Sequence, residues 1–331
     1  MRLTPEPTEA PPDAARRTSM TNRNQPKSQN TAPVGPESDT WSVVSTRGAG
    51  CWELAQVLAN GHAHVARSDL RDACITAQAD FVVQRRLTSF DLVSVAVPHH
   101  FHEEAVGSVV AAIGGGPHSL LAARVARKIA EAIGVEAAMI TVSRSQNDAD
   151  ASQQVLDQIG DRVPGLTPSV VRAQSAEALL EMLEPDTLLV IGAPGGSWVQ
   201  RQLLGPGQKL RHAAPGGVIV VRSAEPRCFQ KTTSTPGVVV SPWLHVKDAR
   251  LVIGDAPAVP VVADGFLVGI VRQDALRSAA PDVNVSTVAE EAVFVLIDDP
   301  LDAAADLQPF LEGAPVPVVD RSGRWLGSIS Q

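Results

Sequence analysis

Between Gly107 and Ser223 short apolar runs alternate with amphipathic helical patterns, and few architectures accommodate that alternation. The runs are GSVVAAI (107–113), AAMITV (137–142), SVVRA (169–173), DTLLVIGAP (186–194) and GGVIVVRS (216–223). Between the first four lie SLLAARVARKIAEAIG (119–134), ADASQQVLDQIGDRV (149–163) and SAEALLEMLE (175–184), each with apolar positions at helical spacing. Strands that are apolar along their whole length, separated by helices, predict a parallel sheet covered on both faces.

The flanks read differently. Residues 1–40 hold seven prolines and almost no large apolar side chains, so they bury too little surface to offset their ordering entropy and are expected to be a disordered tail. Residues 41–106 predict a small α/β segment of unassigned role, with WSVVST and DLVSVAV as strands and helical patterns over CWELAQVLANG and 68–87. Residues 224–236 are polar with two prolines and read as a linker. Beyond them, in 237–331, AVPVVADGFLVGIV (258–271) and PVPVVDRSGRWLGSIS (315–330) repeat one pattern, with Pro260 aligning on Pro317. Such a duplication predicts two units packed about a pseudo-two-fold axis.

The most specific local feature follows the fourth strand, where Gly192 and Gly195 are followed by Gly205. Glycines at a strand-to-helix turn expose backbone N–H groups with no Cβ in the way, which suits phosphate oxygens. The carboxyl end of a parallel strand is also where open α/β sheets bind ligands. Residues 107–223, with the spacing G-x2-G-x9-G, resemble universal stress proteins over that whole domain. The resemblance implies a five-stranded parallel sheet of the universal-stress-protein type, which is Rossmann-like and of the adenine nucleotide α-hydrolase-like class. It also implies frequent homodimers and, in one branch, ATP or AMP at the glycine loop. The candidate contacts carried over are Gly192, Gly195, Gly196, Ser197, Gly205 and Gly207, with Gly114 and Val142 at the ends of the first two strands. Two positions depart from the nucleotide-binding branch: Gly114 replaces an acidic residue, and Pro206 replaces a Ser or Thr, removing a hydroxyl and a backbone donor.

The paired C-terminal units resemble CBS repeats, an α+β fold whose pairs bind adenosine-containing ligands between the repeats. The passages Pro260-Val-Val-Ala-Asp-Gly265 and Pro317-Val-Val-Asp320-Arg-Ser-Gly323 carry the likeness, with strand glycines at Gly269 and Gly327. Ser330 occupies the family's Ser/Thr ligand position in the second unit, while Arg272 and Ala275 stand at the ligand positions of the first. The second unit stops at Gln331, short of its closing helix. An apolar sheet face is therefore expected to need cover from residues 41–106 or from a second copy, which also predicts a homodimer.

Formal charge is −8, and residues 231–331 carry 7 basic against 13 acidic side chains, so a basic face for nucleic acid is not expected. Cys51, Cys74 and Cys228 form no CxxC pair, which fits a reducing cytoplasm better than a disulfide framework or a zinc site. No apolar run reaches the length needed to span a bilayer, so membrane insertion is not expected. His99, His100, His102, Glu103 and Glu104 form the densest group of potential metal ligands, yet a solvated loop explains them more simply, and no metal site is assigned. Ser119 suits a helix N-cap and His118 a loop. With neither a GxSxG elbow nor a P-loop, no catalytic residue is assigned and an enzyme is not expected. The sequence reading is a nucleotide-sensing stress-response or energy-status regulator; the alternative is a ligand-free dimerisation scaffold.

Overall fold

A computed structural model of the protein describes residues 40–67, 69–88, 90–143, 146–173, 176–193, 216–233 and 238–330. The expected tail, 1–40, lies outside them except for Thr40. From Val43 to Arg222 the elements run β1 Val43–Ser45, α1 Ala49–Leu58, β2 His64–Val65, α2 Leu70–Thr76, β3 Phe81–Val83 and β4 Ser94–His99. They continue with β5 Ser108–Ala112, α3 Ser119–Ile133, β6 Glu136–Ser143, α4 Gln146–Arg162, β7 Thr167–Arg172, α5 Ala176–Leu180, β8 Thr187–Gly192 and β9 Val218–Arg222. All nine strands form one sheet in the order β2-β1-β3-β4-β9-β8-β5-β6-β7.

The expected five parallel strands are therefore one side of a larger sheet rather than a sheet of their own. Strands β9-β8-β5-β6-β7 pair in parallel, as do β2-β1-β3-β4, and only β4 and β9 pair antiparallel, from Val95↔Arg222 to His99↔Val218. The two sides wind alike. Each begins with its inner strand (β1 or β5), places the next strand outward, and crosses back to the other flank of the first. Residues 41–106 thus form a smaller counterpart of 107–223, lacking a partner for β7.

Period-2 alternation divides the side chains between two cores. Val109, Leu188, Val190 and Ile219 face Leu54, Leu121, Ile129 and Leu156 of α1, α3 and α4. Val110, Leu189, Ile191 and Val220 face Cys74 of α2 and Leu179 of α5. Both faces are covered, which is why the strands read as continuous apolar runs. The helical pattern expected over 68–87 breaks at Thr76, and Phe81-Val82-Val83 forms β3 instead, fully buried between β1 and β4. Gln78 at φ 47° turns the chain there, and aromatic and β-branched side chains suit a strand buried on both faces.

The C-terminal part holds two hairpins. In the first, β10 Ala258–Ala263 pairs antiparallel with β11 Phe266–Arg272; in the second, β13 Val316–Val319 pairs with β14 Trp325–Ile329. Helices α6 Val246–Ile253 and α7 Gln273–Ser278 flank the first, and α8 Leu301–Leu307 precedes the second. A parallel bridge from Val240 to Val261 is matched by the short strand β12 Val295–Leu296 beside Val318 and Val319. The hairpin tips bond reciprocally: Leu267 N–H donates to the Gly323 carbonyl at 3.1 Å, and Trp325 N–H to the Gly265 carbonyl at 2.9 Å. The duplication read from sequence is thus a pair of units joined tip to tip. Their strand glycines play matching parts, since an added Cβ would lie 2.8 Å from the Glu290 carbonyl oxygen at Gly269 and 2.3 Å from that of Thr233 at Gly327.

Residues 224–233, the described part of the expected linker, are packed between the two regions. Cys228 lies in the core of the second repeat with Val316, Val318 and Ile329, whereas the next residue, Phe229, is fully buried in the sheet core with Cys74 and Val82. The sheet face expected to need outside cover is therefore closed in part by this connector. The Gln78 amide donates to the carbonyls of Phe229 (2.7 Å) and Thr232 (2.6 Å), and the Gln230 amide donates to that of Ala79 (2.9 Å). Emptying a fully buried aromatic site typically costs about 3–5 kcal/mol. Phe229→Ala is expected to lower stability by that order in urea unfolding followed by circular dichroism; an unchanged midpoint would show that the sheet and the repeats do not rely on this anchor.

Candidate nucleotide-binding site

The carboxyl ends of β8, β5 and β6 lie side by side. Ala112 is in register with Ile191 on one flank and Ile140 on the other, so Gly114, Gly192 and Val142 fall at one level of the sheet edge. The strand that follows β5 in sequence lies on one side of it, and β8, reached two crossovers later, lies on the other. That makes the β5/β8 boundary a topological switch point, the place where open α/β sheets bind ligands. Gly195, Gly196, Ser197, Gly205 and Gly207 belong to the segment 194–215, outside the described residues. Ser330 is not part of this group: it is exposed, just beyond β14 in the second repeat.

The loop from Gly114 to Ser119 closes over β5. Gly115 has φ 68°, and the Gly114 N–H donates to the Ser119 hydroxyl at 3.3 Å. Ser119 is the first residue of α3 rather than its N-cap; His118 stands at the cap without a side-chain bond to the helix. The reason is the loop itself, which recruits the Ser119 hydroxyl backward.

His118 is not a free loop residue. Its Nδ1 accepts from the Ser223 N–H at 3.1 Å and lies 2.7 Å from the Ser223 hydroxyl. A backbone N–H only donates, so Nδ1 must be bare and the neutral ring must carry its proton on Nε2. Burial, followed by the nearby Arg222 charge, holds the imidazole below its ordinary pKa of 6.5. Ser223 lies 105 residues away in sequence, and only the placement of β9 beside β8 makes the pair.

In the repeats, Arg272 does not offer its charge to a cleft. It pairs with Glu290 at 3.1 Å and Glu312 at 3.2 Å, and donates to the Phe310 carbonyl at 2.6 Å. The guanidinium thereby bridges the first repeat to the second. Ala275 lies in α7, and its N–H donates to the Asp274 carboxylate at 2.8 Å. Asp298 joins the repeats to α2 through Arg71 and also bonds Arg321 at 2.8 Å. Burial pushes its carboxyl pKa up, but the Arg321 bond and the Arg71 charge outweigh that and hold it below the usual range.

Among the described residues no group of three or more His, Cys, Asp or Glu is placed to hold a metal ion, and no helix is long and apolar enough to cross a membrane. The three cysteines are buried and free. Burial, the larger cause, and acidic neighbours push Cys74 and Cys228 up to about 12.

No family model matches the chain, and no curated protein matches it. Solved structures with partial likeness include the soluble part of a magnesium transporter, at 21% identity over 31% of this chain and 44% of that one, TM-score 0.29. A CBS domain pair/ACT domain protein from Thermotoga maritima matches at 20% identity over 31% of this chain and 88% of its own, TM-score 0.29. The CBS-pair protein CBSX2 in complex with AMP matches at 22% identity over 32% of this chain and 90% of its own, TM-score 0.28. The chain thus spans less than half of the magnesium transporter fragment.

His118 supplies a pH test. A pKa lowered by folding means that the unfolded state takes up the proton first, so stability is intact above the ordinary histidine pKa and declines as pH falls from there through the folded value. Proton NMR of the ring C2–H is expected to place the His118 midpoint below those of exposed histidines, and His118→Gln should remove this part of the acid dependence. A His118 midpoint at the ordinary value would contradict the Ser223 bond.

Proposed function

We propose that the protein is a regulatory sensor that binds an adenine nucleotide, ATP or AMP, at the carboxyl edge of β8-β5-β6 without turning it over. The observation that carries this reading is the convergence of Gly114, Gly192 and Val142 at one switch point, the three ends that the likeness to universal stress proteins assigns to nucleotide. Gly114 supplies no acid, so adenine selectivity falls to backbone groups. The phosphates fall to the loop Gly195–Gly207 of the sequence reading. Regulation in stress response or energy status follows from linkage: a ligand that favours one arrangement of sheet and repeats shifts the population by its differential affinity.

A second reading, a scaffold without ligand, is favoured by Arg272, whose charge is taken by Glu290 and Glu312. Calorimetric titration of the full chain with ATP, AMP and GTP separates the two. The sensor reading expects adenine-selective heats that Gly195→Val abolishes, because a β-branched side chain resists loop geometry and fills phosphate space. Equal or absent heats for all nucleotides would leave the scaffold, and steady ADP release would make the protein an enzyme.

Homodimerisation belongs to the same proposal, and the surface for it lies on the repeats. Leu251 (83% exposed) and Trp243 (71%) are the barest large apolar side chains among the described residues. Sedimentation equilibrium is expected to give a dimer that Leu251→Glu weakens; a wild-type monomer at micromolar concentration would refute it.

A further inference from the structure

A cavity of about 420 Å³ opens at the carboxyl ends of β1, β3 and β4, within the smaller side of the sheet. It stands at that side's own switch point, since β2 lies on one flank of β1 and β3, reached later, on the other. Its volume is within the range of roughly 300–1,000 Å³ usual for small-molecule sites. One arginine, Arg85, and three histidines, His99, His100 and His102, line it, together with Cys51, Gly48 of the β1–α1 loop and Gly50 of α1. Among the described residues no carboxylate lines it.

Arg85 is the fixed charge of this wall. Its side chain rests over Gly48, where an added Cβ would stand 3.5 Å from the Arg85 Cδ. Among the described residues Arg85 has no carboxylate partner, in contrast to Arg71, Arg272 and Arg321. Its charge reaches the cavity floor: burial pushes the Cys51 thiol up, while the Thr46 bond and the Arg85 charge pull it back. Glu53 lies at the cavity's margin: one of its oxygens accepts from the Glu103 N–H at 2.6 Å and the other stands 3.8 Å from His102 Nδ1.

We infer that this cavity is a second small-molecule site, taking the phosphate or pyrophosphate group of an anionic metabolite, with Arg85 as its charged anchor and the three histidines lining the wall around it. It is separate from the β8-β5-β6 edge and does not depend on nucleotide binding there. A guanidinium suits the role because its planar fork bonds two phosphate oxygens at once and stays charged at every physiological pH.

The test is calorimetric titration of the full chain with inorganic pyrophosphate at fixed low salt, with histidine C2–H signals followed by NMR on the same samples. Wild type is expected to bind and to shift the His99, His100 or His102 signals, assigned through single Gln variants. Arg85→Ala should weaken binding roughly tenfold to a hundredfold, the value of a charge-assisted bond. Arg86→Ala, an exposed neighbour outside the cavity lining, should change it less than twofold, with unfolding midpoints of both variants matching wild type. No wild-type heat, equal losses for the two variants, or shifts confined to other histidines would each overturn the assignment. Arg85-dependent pyrophosphate binding in a protein that ignores ATP and AMP would sink the sensor reading alone.

Discussion

The antiparallel pairing of β4 with β9 is the contact on which the rest of the sheet depends. Every other pair in it is parallel and lies within its own side, so this ladder alone makes two sheets into one. It imposes a local requirement at its end, opposite His99. Gly217 has φ 93°, and a Cβ there would lie 2.8 Å from the His100 carbonyl oxygen and 3.0 Å from that of His99. A glycine is needed both for the backbone angle and for the approach. On the outside of the ladder, α1 meets α3, so helices as well as strands join across the same line.

The second organising contact is the connector. Two consecutive side chains, Cys228 and Phe229, enter two different cores, because the 3-10 turn Cys228–Gln230 points successive side chains about 120° apart. Around them the Gln78, Gln230, Arg71 and Asp298 bonds satisfy polar groups that the docking takes out of water. The result is a polar seam around an apolar pin. The seam thus ties the repeats to α2 and to the turn before β3.

Much of this was legible in the sequence, and what was not has physical causes. The strands and helices of 107–223 were readable because burial on both faces leaves unbroken apolar runs and because α3 carries a strong helical period. The repeat hairpins were readable from their Asp-Gly and Ser-Gly turns. Strand β3 was missed because three residues give too short a run to register against a preceding helical pattern, and β2, two exposed residues with a single apolar side chain, is too short to read as a strand. The packing of the connector was not legible because its composition is polar while its two decisive side chains are single residues. At the candidate site, the ends of β5, β6 and β8 could be located because their apolar runs are visible in sequence, while naming Gly114, Gly192 and Val142 as contacts rested on the resemblance to universal stress proteins. The His118–Ser223 bond, the capture of Arg272 by Glu290 and Glu312, and the gathering of Arg85 with His99 and His100 could not, since each joins residues brought together only by strand order.

The unequal halves of the sheet have a consequence for how such a protein is maintained. Two copies that meet as separate subunits fall apart on dilution and share every substitution. Here the halves are covalently linked, so their meeting is intramolecular, governed by an effective concentration rather than by the abundance of the protein. Each side is also encoded separately. One side has four strands and a histidine-lined cavity and the other five strands and a different edge, an asymmetry that an assembly of identical subunits does not permit.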